Sequence, residues 1–76
     1  MESIHDRAKL LINLAGIDTL VRSGVISSSR WKNILYKDVR LSTEEMEVLK
    51  EVYPNHIYWL MTGEVIPEAG QTSPET

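Results

Sequence analysis

The sequence predicts an all-α domain of five short helices, and three observations carry that prediction. Apolar residues recur at helical spacing in five separate stretches, and no stretch alternates as a half-buried strand would. Gly16, Gly24, Pro54 and Gly63 stand between or after these stretches as punctuation. Serines precede two of them, at Ser27-Ser28-Ser29 and at Ser42, where a hydroxyl can accept from the free amides of a first helical turn. A chain of 76 residues forms one domain with a thin core, of the kind a second subunit often supplements. The helical domain is expected over residues 1–63. Residues 64–76, with Pro67, Gly70, Ser73 and Pro74, lack periodicity and are expected to form an extended or partly disordered tail.

Ile4, Ala8, Leu11 and Ala15, with Leu14 beside them, define a first helix from about Ser3 to Ala15, with Glu2 near its positive end. Gly16 ends it. A second helix is expected from about Ile17 to Ser23, burying Ile17, Leu20 and Val21. Gly24, Val25 and Ile26 then make a tight connection. The third helix begins at the serine run and turns Trp31, Ile34 and Leu35 inward, and 37–41 is a charged loop. Ser42 to Glu45 has the pattern of a capping box, opening a fourth helix from about Thr43 to Val52 with Met46, Leu49 and Val52 facing in. Pro54 breaks that helix, Asn55 is placed to cap a fifth, and the fifth carries Ile57, Trp59 and Leu60 before Gly63.

Composition excludes several function classes. The chain has no cysteine, which removes disulfide frameworks, cysteine zinc sites and thiol catalysis. No apolar run approaches the roughly 20 residues of a membrane span, and Met1–Lys9 is too polar for a signal peptide. A cytoplasmic protein without membrane contact is expected. His5 and His56 fall on different elements without partners at metal-ligand spacing, and Glu44, Glu45, Glu47 and Glu51 are expected mostly to face solvent. No nucleophile–base pattern, glycine-rich phosphate loop or cofactor fingerprint is present. The expectation is therefore no enzyme, no cofactor, no metal and no small-molecule ligand.

The net charge of −3 conceals an asymmetry. Residues 1–40 hold seven basic against four acidic groups, whereas Lys50 alone faces seven glutamates after them. Such a split suggests one face made for an anion and another that solubilises or repels. Leu20, Val21, Ile26, Trp31 and Ile34 meet the apolar offsets of a helix-turn-helix, in which one helix braces a second that enters the major groove. Gly24 falls one residue earlier than the usual turn glycine, so the turn is expected to be shifted or lengthened. At 100° per residue, Ser29, Asn33 and Tyr36 lie opposite the inward face of the third helix, Lys32 flanks them, and Ser28 sits at the entrance. Asparagine bonds adenine bidentately, lysine donates to guanine, and serine does either. Ser28, Ser29, Lys32, Asn33 and Tyr36 are therefore the candidate base-reading residues. Arg22, Arg30, Lys37 and Arg40 are the candidate phosphate contacts.

Leu20-Val21, Gly24, the run Ser29-Arg30-Trp31-Lys32-Asn33-Ile34 and then Leu41-Ser42 together resemble the Cro/repressor-type helix-turn-helix regulators of phages and bacteria. Tyr53-Pro54 through Tyr58-Trp59-Leu60-Met61-Thr62-Gly63-Glu64 is similar to the block that follows the fourth helix in many of them, and 67–75 resembles tails in a bacterial subset. The resemblance covers nearly the whole chain. It implies a lambda-repressor-like helix-turn-helix fold and a sequence-specific regulator of transcription, commonly a repressor. Such proteins are commonly homodimers on a near-palindromic operator in double-stranded DNA, often encoded in mobile elements.

Five short helices cannot bury every residue of the aromatic and methionine-bearing segment 53–61, and such residues are favoured between subunits. Tyr58, Met61, Val65 and Ile66 are the candidate homodimer interface, which would set two third helices about 34 Å apart, one turn of DNA. The alternative is a protein-interaction module, antitoxin-like or an adaptor, that binds another protein through the same patch. The polar face from Ser28 to Tyr36 favours DNA.

Overall fold

The computed structural model describes residues 3–22 and 24–74. Five α-helices follow in chain order: α1 (Ile4–Ala15), α2 (Ile17–Val21), α3 (Ser28–Lys37), α4 (Thr43–Val52) and α5 (Ile57–Thr62). Two single 3-10 turns, Pro54–His56 and Pro67–Ala69, complete the chain. The all-α class and the five helices are those expected from the periodicity. Among the described residues, no helix is long and apolar enough to cross a membrane.

α1 is the central helix, because its buried stripe of Arg7, Ala8, Leu11 and Ile12 meets all four of the others. Its start is set by a reciprocal cap: the Ser3 hydroxyl accepts from the Asp6 amide at 3.1 Å, and the Ser3 amide donates to the Asp6 carboxylate at 3.2 Å. Donation from Ser3 holds the Asp6 carboxyl below the usual range. The expected neighbour of this end, Glu2, lies outside the described residues.

The core is one cluster. Ala8, Leu11 and Ile12 of α1 meet Leu20 of α2, Trp31 and Ile34 of α3, Val48 and Leu49 of α4, and Trp59 and Leu60 of α5. Each fully buried aliphatic side chain contributes about 1.5–3 kcal/mol. Three sequence expectations are revised here. Val21 is exposed and Ile17 only half-buried, because a five-residue α2 turns just one residue, Leu20, fully into the core. On α4 the inward residues are Glu45, Val48 and Leu49, while Met46 and Val52 are half-buried at its edge. Asn55 does not cap α5: it sits inside the 3-10 turn, and its carbonyl accepts from the Thr72 amide at 2.8 Å.

Arg7 is the one arginine carried into the interior, and its Nε donates to the Leu60 carbonyl at 3.0 Å, tying α1 to the end of α5. Gly63 follows with φ +79°, its amide donating to the Trp59 carbonyl at 2.7 Å. A Cβ at Gly63 would lie 3.1 Å from the Arg7 guanidinium. Gly63→Ala is thus both left-handed and crowded, and is expected to cost about 1–2 kcal/mol in chemical denaturation, the penalty of a side chain in that region.

Residues 64–74 are not extended. Ile66 and Gln71 exchange two backbone hydrogen bonds, 2.8 and 3.0 Å, around the Pro67–Ala69 turn. The chain then returns to the 3-10 turn before α5, where the Thr72 carbonyl lies 2.7 Å from His56 Nδ1, and Ser73 is buried. Absence of periodicity signalled absence of a helix, but not absence of structure.

Candidate nucleic-acid interface

α2 and α3 are consecutive packed helices, and the six residues 22–27 join them. The connection is longer than the tight one expected, because α2 stops at Val21, and Gly24 turns the chain at φ +75° with its amide on the Val21 carbonyl at 2.9 Å. Ser23, the expected last residue of α2, lies outside the described residues. Val25 stands 65% exposed at the turn, while Ile26 packs on the core edge.

α3 starts where the serine run placed it. Ser27 is the cap, its hydroxyl accepting from the Arg30 amide at 3.3 Å, and no acidic residue lies in the first turn. Trp31 and Ile34 are wholly buried, which sets the rotation of the helix. Residues 29, 32, 33 and 36, spaced i, i+3, i+4 and i+7, then share the opposite face. Ser29, Lys32 and Tyr36 are exposed, Tyr36 at 75%, and Asn33 and Ser28 are half-exposed. The five candidate base-reading residues therefore come together on a helix about 15 Å long.

The candidate phosphate contacts divide. Arg22, at the end of α2, Lys37, in the last turn of α3, and Arg40, in the following loop, are exposed. Arg30 is committed elsewhere. Its Nε and one Nη donate to Glu45 Oε1 at 3.1 and 2.9 Å, and the same Nη donates to the Arg40 carbonyl at 2.8 Å. It braces α3 against α4 and the loop between them, and these donors are unavailable to a phosphate.

Glu45 is the residue that sequence reasoning misplaced. Expected to face solvent, it is 2% exposed. Burial pushes its carboxyl up, but the Ser42 amide at 2.9 Å, the Ser42 hydroxyl and Arg30 together hold it below the ordinary value. Ser42 and Glu45 form the expected capping box. The signal was in the sequence, since a box glutamate at the third helical position points back toward the preceding loop.

A second ion pair holds the other end of α3. Asp38 ends the helix in the left-handed region, φ 53°, and its carboxylate accepts from Lys9 Nζ of α1 at 2.6 Å, with His5 Nε2 at 3.7 Å. The Lys9 hydrogen bond holds the Asp38 carboxyl low. With Asp38 countered by Lys9 and Glu45 by Arg30, the charges left open between residues 22 and 40 are Arg22, Lys32, Lys37 and Arg40.

The candidate interface residues on the far side lie in different settings. Met61 is 50% exposed and Val65 is exposed, whereas Ile66 is half-buried in its bridge to Gln71. Tyr58 is half-buried, its backbone amide and carbonyl engaged by Gln71 and Thr62. Beside Met61, an open groove of about 330 Å³ runs between α4 and α5, with Met46 and Ile57 on its walls.

Fold and site together define a small all-α domain that displays an open polar stripe and four free bases around its third helix. Its structure is similar to that of Pf6r from the filamentous phage Pf6 of Pseudomonas aeruginosa PA01, with a TM-score of 0.93 and 59% identity over 97% of each chain. At that identity and coverage, the chain belongs to the same family as Pf6r. No protein-family model and no curated protein matches the chain.

Proposed function

We propose that the chain is a sequence-specific regulator that binds double-stranded DNA as a homodimer and represses transcription by occupying a near-palindromic operator. The observation that carries this reading is the α3 stripe of Ser29, Lys32, Asn33 and Tyr36, left open on a helix that α2, Arg30 and Asp38 hold in place. Rigid support of a reading helix is what base discrimination requires. Kinship with a filamentous-phage protein supports a role in phage or mobile-element control. Ser28 reads at the helix entrance. Arg22, Lys37 and Arg40 fix register on phosphates.

Pairing in this reading uses Met61, Val65 and Ile66, with Tyr58 at the edge and the Met46–Ile57 groove adjoining. The same apolar surface is what a protein-interaction module would use. The deciding experiment selects bound duplexes from random sequence and compares wild type with Lys32→Ala/Asn33→Ala. A two-fold motif, with a loss of about 1–3 kcal/mol per good contact in the double variant, supports DNA reading. Absence of any motif even at low salt sinks it, and partner capture on Met61 then becomes the better account.

The division among the arginines and lysines makes a separate prediction. Three phosphate contacts per protomer give a dimer a slope of log affinity on log salt of about −5. Lys37→Ala is expected to make that slope shallower by roughly 2, one released counterion per protomer. Arg30→Ala is expected to leave the slope unchanged while lowering thermal stability. Equal changes in slope from both variants would show that Arg30 leaves Glu45 for the DNA.

A further inference from the structure

α5 has only six residues and no side-chain cap from its own N-terminal neighbours. The cap comes from the tail. Gln71 Oε1 accepts from the Tyr58 amide at 3.0 Å, and Gln71 Nε2 donates to the Pro54 carbonyl at 3.1 Å, so one carboxamide bridges the breaker proline and the first turn of α5. The Thr72 amide on Asn55 and the Thr72 carbonyl against His56 Nδ1 continue the attachment, and buried Ser73 ends it. The Ile66–Gln71 bridge closes the loop on itself. The segment is thus a strap held by hydrogen bonds from Gln71 and Thr72 onto residues 54–58. The stretch it spans out from Gly63 carries Val65 and Ile66, and the helix it caps carries Tyr58 and Met61.

We infer that Gln71 is a positioning residue: seating of the 66–73 strap on the start of α5 orders the pairing surface, so strap seating and dimerisation are coupled. The inference rests on the homodimer reading above. An unseated strap leaves Val65 and Ile66 without a fixed place and the Tyr58 amide without its acceptor, so two chains must order both before they can pair. That ordering opposes association. Coupling of this kind is reciprocal: whatever lifts the strap dissociates the dimer, and pairing holds the strap down.

Dimer dissociation is measured by sedimentation for the full-length wild type, Gln71→Met and Gln71→Glu, with circular dichroism on the same samples. The methionine keeps the length and removes both hydrogen bonds; the glutamate keeps an acceptor for Tyr58 and places a negative charge at a helix start, where it is favoured. We expect Q71M to retain the helical spectrum and weaken the dimer about tenfold, the size of a lost helix cap, with Q71E closer to wild type. In the wild type, exchange of the Tyr58 and Thr72 amides should slow as concentration drives the chain from monomer to dimer, and this holds the test open should Q71M not fold. Dimerisation by Q71M equal to wild type, equal weakening in both variants, or exchange indifferent to concentration would overturn the coupling. A wild-type chain that stays monomeric at every concentration overturns the homodimer reading itself, and the coupling with it.

Discussion

Trp31→Ala is expected to cost about 3–5 kcal/mol, the largest single effect in the molecule. The indole is wholly buried, on the inward face of α3 beside Ile34, in the one cluster that all five helices share. A domain of this length has about 4–11 kcal/mol of stability in total, at roughly 0.05–0.15 kcal/mol per residue. The variant should therefore lose much of its cooperative transition, with a midpoint at least about 12 °C lower. Thermal denaturation followed by helical dichroism checks it. Trp31→Phe gives the contrast. The Trp31 indole N–H is buried with no hydrogen-bond partner among the described residues. Phenylalanine removes that unsatisfied donor along with some volume, so the two effects oppose and the loss should be well below that of alanine. A phenylalanine variant as unstable as the alanine one would contradict this ordering.

Glu45→Ala should come next, at about 2–3 kcal/mol. It removes the α4 cap from the Ser42 amide and the acceptor of two Arg30 donors in one step. Breaking a fully buried ion pair costs about 3–5 kcal/mol. Here the Arg30 side chain is one-third exposed and recovers part of its solvation, so the cost falls below that range. Urea denaturation of Glu45→Ala, Arg30→Ala and the double variant would resolve the coupling between them, and strict additivity would deny it. The pH dependence follows from the same geometry. The folded-state pKa of Glu45 lies below its ordinary value of 4.5. Its contribution is complete above that ordinary, unfolded value and is lost as pH falls through the lower folded value. The stability gap between wild type and Glu45→Gln should accordingly be constant near neutrality and close in that acid window. A gap that widened on acidification would contradict the assignment.

Much of the fold was legible because helix signals are local. Apolar spacing marked all five helices, the serines at 27 and 42 marked two starts, and Gly16 and Gly63 marked two ends within a residue. The open polar stripe on α3 was legible for the same reason. Once Trp31 and Ile34 are inward, the pitch of the helix leaves no freedom for residues 29, 32, 33 and 36. The missed Ser3–Asp6 box was also local, and the pattern was available to be read.

What the sequence by itself determined, then, is where the helices lie and, for α3 and α5, which side faces inward. Both follow from interactions within three or four residues, whose geometry any helix repeats. Only the tertiary structure decided which charges are spent and which are open. Arg30 and Glu45 are 15 residues apart, Lys9 and Asp38 are 29 apart, and Arg7 reaches the Leu60 carbonyl across 53. It also decided that the tail is a strap, since Gln71 and Thr72 find their partners on a turn 13 to 17 residues earlier. Such pairings depend on how packed helices bring distant loops together, and no short-range spacing encodes that.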